Sequence, residues 1–522
     1  MKLSNYIKLF AASTLVVSAM SSCNDFLSTL PDSRAEVDSY EDIRSLLISA
    51  YPEQGYSLIT ELSTDNVVHN TEAAAYTTRF YDQLYAWEDV TESANESPKR
   101  VWESAYSAIQ TANAALEAIE KLGDRADLKP LKGEALLCRA YGHYLLANLF
   151  AEPYNAATAA TELGVPYMTK PETTLNPKYT RETLASNYER IAADIEEGLP
   201  LLNDQTYSVP KYHFNKKAAN AFAARFYLFY QKWDKAYSYA QAVLGSAPAN
   251  QLRDYAQLLA LPSGQGGFNN RAIEWVDHSN ANNLMLLTDV SSLGRYFGFF
   301  TVGSRYTHSS FVADRETVGA PNAWGSTAMK VMPERLTDPY RKVILPKNPF
   351  QIEYTDRVAG TGYLRTTYAD FTTDETLLVR AEANIMLGKY TEALADMNLY
   401  LRNTYSSYNE LTAESIKTWN ASTAYHTPTV PTPRKRLNAS WTISSEQENY
   451  LQVLLHMRRI ETVQTGLRWF DIKRYGIEVA RVDVVGGTTA VETANKLSKD
   501  DKRLAFQIPE ESIAAGMTPN RK

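Results

Sequence analysis

The side chains that could do chemistry in this chain are seven histidines, two cysteines and 60 acids, and their spacing matches no common catalytic site. The histidines are scattered, and none are spaced as metal ligands on one helical face, so we predict no metal site. The sequence contains no G-x-S-x-G elbow, H-E-x-x-H motif, P-loop or EF-hand loop. The glycines at 264, 266 and 267 do not follow a predicted strand that opens a helix, so we expect no cofactor.

One catalytic chemistry stays open on these grounds. A glycoside hydrolase needs only two carboxylates at a suitable separation. With 60 Asp and Glu in the chain, the sequence does not exclude such a pair. A helical hydrolase is therefore kept as an alternative.

Cys23 stands where a covalent lipid would be attached. Lys2 and Lys8 accompany an apolar stretch, residues 9–20, that is too short to span a bilayer. Small residues just before Cys23 are typical of a bacterial lipobox, although Met20 departs from the usual Leu. Several acyl chains, palmitate among them, at ~0.8 kcal/mol per buried methylene anchor a protein stably. We predict a signal peptide at 1–22 and a lipidated tether at 23–38; the alternative is an ordinary signal peptide with an incidental cysteine.

The lipid would be the only attachment to a membrane, because no later segment reaches ~18 consecutive apolar residues. The second cysteine, Cys138, lies at helical spacing among apolar residues. A thiol in that position is usually a small core hydrophobe. We therefore expect no disulfide and no nucleophilic cysteine.

Aromatic side chains can also bind a ligand by stacking, without catalysing a reaction. Residues 262–372 carry irregular, aromatic-rich sequence, including the run YFGFF at 296–300. A loop-rich insertion of this length is normally functional. We predict ligand contacts there from rings that can stack and from two polar neighbours: Trp275, Arg295, Tyr296, Phe299, Asn322 and Trp324. The alternative is that these rings form a small satellite core.

Helices must position this insertion. Apolar residues recur every three or four positions over 102–119, 131–149 and 184–199, as on one face of a helix. Residues 218–248 and 375–402 add small residues at points where two antiparallel helices approach closely, as in tetratricopeptide hairpins. The fold predicted is mostly α, a tetratricopeptide-like helical hairpin solenoid with a loop-rich irregular insertion. Within one domain at 39–522, hairpins are expected at about 102–149, 181–248, 375–402 and 446–475.

The net charge of the chain bears on which class of macromolecule it can bind. The formal net charge is −7, which argues against nucleic acid because phosphate binding needs clustered cations. The one basic cluster, residues 434–436, lies in a Pro- and Thr-rich loop and is predicted to be a solvated turn. Alternating charges near the C-terminus are instead predicted to tie the last segment to the solenoid through ion pairs: Arg458, Arg459, Glu461, Arg468, Asp471 and Arg474.

Several short motifs, in order along the chain, resemble the SusD/RagB family. They are Cys23-Asn24-Asp25-Phe26-Leu27, Trp102 to Asn113, Arg139-Ala140-Tyr141, Asp338-Pro339-Tyr340-Arg341, Arg380-Ala381-Glu382-Ala383, Arg458-Arg459-Ile460-Glu461, Gly466 to Arg474, and Phe506 to Glu510. Each motif is weak alone, but together they span residues 23–520. His456-Met457 and Gln464-Thr465 depart from the family's usual residues, which marks a divergent member.

The resemblance implies a SusD-like fold and a nutrient-binding lipoprotein of the outer membrane that faces the cell exterior. It implies an oligosaccharide ligand, or a peptide as in the RagB branch, and a TonB-dependent, SusC-like transporter as partner. It implies a binder, not an enzyme. A bare protein-interaction scaffold is the third alternative, which the aromatic insertion disfavours.

Overall fold

Helices dominate the computed structural model, which describes residues 37–73, 77–93, 96–123, 125–174 and 178–521. Cys23 and nearly all of the predicted tether lie outside these residues. The α-helices of the described residues are α1 Tyr40–Leu47, α2 Ser57–Ser63, α3 Arg79–Ala86, α4 Pro98–Leu122, α5 Lys129–Phe150, α6 Leu184–Gly198, α7 Lys216–Phe229, α8 Trp233–Leu244, α9 Tyr255–Ala260, α10 Phe268–Trp275, α11 Leu293–Tyr296, α12 Ser310–Glu316, α13 Thr373–Met386, α14 Tyr390–Thr404, α15 Ala413–Ser422, α16 Ser445–Thr462, α17 Arg468–Tyr475 and α18 Glu510–Ala514. The mostly α prediction is confirmed.

Three small sheets accompany the helices in the described parts of the chain. Their strands are β1 Val68–Asn70, β2 Asn283–Val290, β3 Tyr306–Thr307, β4 Glu334–Leu336, β5 Lys342–Ile344, β6 Gln351–Asp356, β7 Thr361–Thr372, β8 Val479–Val485 and β9 Thr489–Leu497. The strand orders are β3-β1-β8-β9, β2-β7-β6 and β4-β5. Among these described strands, β1 and β8 pair in parallel, and the other pairs are antiparallel.

The helical hairpins begin and end where the sequence supplies caps. The Ser97 side chain accepts the Arg100 N–H at the start of α4, and Ser444 forms a capping box with Gln447 at the start of α16. Gly388, between α13 and α14, has φ +73°, the left-handed geometry that glycine adopts without strain. Ser39 caps α1 by accepting the Asp42 N–H.

The hairpins stack into a continuous helical layer. α4 packs on α5, and α5 packs on α6. In the next part of the layer α7 packs on α8, α8 on α13 and α13 on α14, and α16 also packs against α13. Close approach needs glycine: a Cβ at Gly142 would lie 2.6 Å from Ile109 Cγ1, and one at Gly133 would lie 2.7 Å from the Gly198 carbonyl oxygen. Cys138 is 1% exposed and is a free thiol inside this core, as predicted.

Buried cations close several helix ends. Lys473 Nζ donates to the carbonyl oxygens of Asn148 at 2.6 Å and Ala151 at 2.8 Å, at the end of α5. Lys347 Nζ donates to carbonyls at the end of α16, and Arg481 donates to carbonyls near the ends of α2 and α3. The last carbonyls of a helix have no partner within the helix, and the negative end of its dipole attracts a cation.

The C-terminal charges form the ties that their alternation predicts. Arg468 makes two bonds of 2.9 Å to the Asp65 carboxylate, and Arg474 bonds Glu382 at 2.7 Å. The basic cluster at 434–436 is only in part what the sequence suggests, because Lys435 is 5% exposed and its Nζ lies 2.6 Å from Glu316 Oε2. The prediction of a fully solvated turn is therefore wrong, since Lys435 belongs to a buried ion-pair network.

The predicted insertion at 262–372 holds more regular structure than expected. It contains the β2-β7-β6 sheet, the β4-β5 hairpin and the short helices α10, α11 and α12. β7 is exposed at its first residues and buried at its last. The burial of its side chains therefore follows no single period, and its sequence does not display a strand pattern.

Candidate ligand-binding face

A protruding β-hairpin provides the platform of the candidate site. The residues of β7 nearest α13 are buried and pair with β2, whereas its first residues pair with β6 and are exposed. The turn between β6 and β7 is held by Asp356, whose Oδ1 accepts the N–H groups of Val358 at 2.8 Å and Ala359 at 3.0 Å. We call residues 351–365 the hairpin.

Large apolar side chains of the hairpin face solvent. Tyr354 is 48% exposed, Tyr363 is 53% exposed and Val358 at the turn is 99% exposed. Tyr354 lies opposite Gly362, and Tyr363 lies opposite Glu353 on the neighbouring strand. Because adjacent strand positions point to opposite faces, the two tyrosines lie on opposite faces of the hairpin. Neither ring was predicted as a ligand contact; the turn sequence DRVAGTG at 356–362 was the available signal for a hairpin.

Phenylalanine pairs lie near the base of the hairpin. Phe300 packs against Phe350, the residue before β6, with ring centroids 4.9 Å apart. Phe299, a predicted contact, packs edge-to-face on Phe268 with centroids 5.3 Å apart and is half-buried. These rings and the hairpin together form what we call the aromatic face.

Arg295 is placed beside this base by α11. The Gly294 N–H donates to Thr366 Oγ1 on β7 at 3.1 Å, and a Cβ at Gly294 would lie 2.2 Å from the Pro349 carbonyl oxygen. Only glycine allows this approach of α11 to the chain entering β6. Arg295 is exposed, and its guanidinium has no ion-pair or hydrogen-bond partner among the described residues. It is free to meet a polar ligand.

Three other predicted contacts are occupied by the fold. Trp324 is 0% exposed and packs against Tyr405 and His456, and Tyr296 is 1% exposed with its hydroxyl donating to the Tyr306 carbonyl at 2.6 Å. Asn322 donates to the carbonyls of Ala320 and Ser326 within its own loop. The burial corrects the prediction for Tyr296 and Trp324, because no ring face is open for stacking; both rings belong to the main hydrophobic core and not to a satellite core.

Trp275 lines a small polar cavity and not the aromatic face. Its ring is 8% exposed, and the Arg253 guanidinium lies 3.6 Å from the ring centroid. The cavity is bounded by side chains from the loop before α9, from α10, from the segment between β5 and β6, and from β7, α13 and α16: Arg253, Trp275, Lys347, Asp370, Glu375 and Glu461. Its volume is about 40 Å³, room for roughly three water molecules.

This cavity also contains a carboxyl group, that of Glu461, with the raised pKa expected of a general acid. Burial raises the pKa of Glu461 to about 7, opposed by Lys347, and a raised pKa suits a carboxylic acid that donates a proton. However, Glu461 Oε2 accepts the Tyr400 hydroxyl at 3.0 Å, and a sugar ring does not fit in the volume available. The arrangement does not supply the accessible carboxylate pair of a glycoside hydrolase.

Within the described parts of the chain, no three His, Cys, Asp or Glu side chains are grouped as metal ligands. In those parts, no helix combines the length and hydrophobicity needed to cross a bilayer.

Comparison with known proteins places the chain in a family. Two sequence profiles match: one described as "Starch-binding associating with outer membrane" over residues 25–228, and one described as "SusD family" over residues 324–512. No curated protein sequence matches significantly.

Solved structures share the fold at low sequence identity. A SusD superfamily protein from Bacteroides thetaiotaomicron is 18% identical with a TM-score of 0.63, covering 92% of this chain and 98% of that one. A SusD superfamily protein from Bacteroides vulgatus is 17% identical (TM-score 0.60; 92% and 97% covered). A SusD-like carbohydrate binding protein from Bacteroides vulgatus is 15% identical (TM-score 0.62; 91% and 96% covered). With both profiles and this fold in agreement, the chain belongs to the SusD/RagB family.

Proposed function

We propose that this protein is a cell-surface lipoprotein that binds a glycan or oligosaccharide and delivers it to a TonB-dependent outer-membrane transporter. The profile that matches residues 25–228 is described as starch-binding and associated with the outer membrane. A fold neighbour is described as a carbohydrate binding protein. The leader and Cys23 are consistent with a lipid anchor.

The observation that carries the proposal is the aromatic face, above all Tyr354 and Tyr363. Tyr354, Tyr363 and Val358 are large apolar side chains left half or fully exposed on one hairpin, which favours a binding role for it. A tyrosine ring can stack on the apolar face of a sugar while its hydroxyl bonds a neighbouring hydroxyl group. Since the two rings lie on opposite faces of the hairpin, an extended glycan would contact them as it wraps the hairpin.

A peptide is the alternative ligand of the same face. Arg295 is unpaired, and the Arg365–Glu353 pair, 2.6 Å between Nη2 and Oε2, lies on the hairpin with Tyr363. These charges could bind peptide termini or side chains. Arg365 and Glu353 already neutralise one another beside Tyr363, which favours a neutral glycan over a charged peptide.

A binding panel with paired variants tests the proposal. Purified protein is screened against soluble polysaccharides, host glycans and peptide mixtures by thermal shift, and hits are titrated calorimetrically. The Tyr354→Ala and Tyr363→Ala variants should each weaken a glycan hit about five- to thirty-fold, which corresponds to about 1–2 kcal/mol. Tyr212→Ala is the matched control, since Tyr212 is an exposed tyrosine (42%) outside the hairpin. Equal affinity in all three variants would remove the aromatic face from the proposal.

Delivery to a transporter is tested separately. Gentle detergent extraction through a C-terminal tag should co-purify a large outer-membrane barrel protein. Deletion of residues 353–362 should leave that complex intact, because the proposal assigns the hairpin to ligand and not to the transporter. Recovery of this chain alone in several mild detergents would contradict the transporter partnership without affecting the ligand result.

A further inference from the structure

The predicted contacts Arg295 and Phe299 belong to one short segment, residues 291–300, which follows β2 and contains α11. That helix has four residues, about one turn, and a single turn is not stable without support from outside. On one side the support is β7, where the Leu364 carbonyl accepts the Ser291 N–H at 3.0 Å. The other support comes from a distant part of the chain.

Glu96 provides that second support. Its carboxylate accepts three hydrogen bonds: from the Ser291 hydroxyl, from the Ser292 N–H at 2.8 Å and from the Ser292 hydroxyl at 2.7 Å. Ser292 directly precedes α11, so its N–H is a donor that the helix start leaves without a partner. One side chain thus fixes the start of the helix that carries Arg295.

The backbone of Glu96 is tied to the helical layer. The Glu96 N–H donates to Gln54 Oε1 at 2.9 Å, and the Gln54 N–H donates to Ser104 Oγ on α4 at 3.1 Å. Ser97, the next residue, caps α4. Because its backbone is held by a long helix and its side chain by residues 291–292, Glu96 joins the solenoid to the aromatic face.

Two features of Glu96 oppose the stability of the fold. Its φ is +67°, in the left-handed region that a residue with a Cβ adopts at a cost in free energy. Glu96 is also 5% exposed, and burial raises the pKa of its carboxyl, opposed by the hydrogen bonds from Ser291 and Ser292. In the described residues no lysine or arginine pairs with it. Because the folded pKa lies above the unfolded value, the ionised form lowers stability at neutral pH. Strained residues of this kind cluster at functional sites.

We propose that Glu96 is a positioning residue of the ligand-binding face, whose carboxylate holds residues 291–300 against β7 and so sets where Arg295 and Phe299 stand. This role rests on the proposed function, because it serves the aromatic face. The hydrogen bonds themselves need no ligand. Without the carboxylate, the start of α11 loses the acceptor of one N–H and two hydroxyl groups, and the segment opens more often.

Hydrogen–deuterium exchange of the purified chain without ligand tests the positioning. Glu96→Gln should speed the exchange of residues 291–300 about tenfold or more, while Tm changes by less than about 3 °C. Glu96→Gly should have the same local effect, because glycine adopts the left-handed backbone without strain and only the side chain is lost. Ser292→Ala should speed the same segment to a smaller extent. Glu88→Gln, at an exposed acid of the same loop, is the control and should leave the segment unchanged.

The pH profile of this protection distinguishes a carboxylate from a space-filling side chain. A protonated carboxyl accepts fewer hydrogen bonds, so protection of residues 291–300 should fall as pH is lowered through the raised pKa of Glu96. Glu96→Gln should remove this response. The charged group that acts on Glu96 is Asp289 at the end of β2, which is 2% exposed. Asp289→Asn should therefore keep the response.

Titration with soluble starch adds the ligand, since the profile that matches residues 25–228 is described as starch-binding. Glu96→Gln should weaken starch binding about fivefold or more. In an Arg295→Ala background the same substitution should have a smaller effect, because residues that act through one another are not additive. A parent chain that binds no starch excludes starch as the ligand, and the exchange results still decide the role of Glu96.

Each contrary result overturns a stated part of the proposal. Unchanged exchange of residues 291–300 in both Glu96 variants would show that the carboxylate does not hold the segment. Faster exchange spread evenly over the chain would make Glu96 a residue of general stability only. Protection that does not change with pH in the parent would exclude the ionised carboxylate as the acceptor. An equal loss of starch affinity with and without Arg295 would separate Glu96 from the ligand contact.

Discussion

Replacing Trp324 by alanine measures whether this ring is core or ligand contact. The ring is 0% exposed and packs against Tyr405 and His456 with centroids 5.6 and 5.2 Å away. An aromatic side chain buries about 150–250 Å². Losing about 150 Å² of that at ~25 cal/mol per Å² gives about 4 kcal/mol, in the range of about 3–5 kcal/mol seen for Trp→Ala in cores.

The assay combines thermal melting with ligand titration. Unfolding entropy of about 2.1 cal/mol/K per residue converts 4 kcal/mol into a fall in Tm of about 4 °C if the chain unfolds as one unit. Trp324→Phe keeps a ring and should lose less. Tyr354→Ala is the contrasting variant, with affinity reduced about five- to thirty-fold and Tm changed by less than about 1 °C. A Trp324→Ala protein that melts like the parent but loses its ligand would refute the assignment of Trp324 to the core.

Three further predictions concern charge, protons and the anchor. Burial alone would raise the pKa of the Asp65 carboxyl, but Arg459, Arg468 and Lys435 hold it well below its usual range. Asp65→Asn should therefore lower the free energy of unfolding, measured by chemical denaturation, by about 3–5 kcal/mol. The control Asp314→Asn, in an exposed ion pair, should lower it by less than about 1 kcal/mol. Burial lowers the pKa of His456 to about 3, so the unfolded chain binds the extra proton and the stability of the fold falls as pH drops below about 6.5. His456→Gln should reduce the stability lost between pH 7 and pH 5 by about 2 kcal/mol. Glu461, with its raised pKa, acts in the opposite direction in the parent and in the variant alike. Cys23→Ala should lose metabolic palmitate label and leave the membrane fraction, while Cys138→Ala should keep both; label that persists without Cys23 would contradict the anchor.

The sequence determined the features that depend on local spacing. Periods of three and four residues indicated the helices, and the alternating C-terminal charges indicated ion pairs that the structure contains. Each of these signals lies within one turn or one short segment, where side-chain direction follows from position.

Tertiary structure alone decided which aromatic rings reach solvent. Trp324 and Tyr354 lie thirty residues apart in the same irregular region, yet one is 0% and the other 48% exposed. Nothing in their local sequence separates them, because burial depends on what packs on each ring from distant segments. Tyr405 and His456 pack on Trp324, while Tyr354 lies opposite Gly362, which has no side chain to cover a ring. Lys435 was misplaced for the same reason, since its acidic partners Asp65 and Glu316 are far from it along the chain and meet it only in the folded protein.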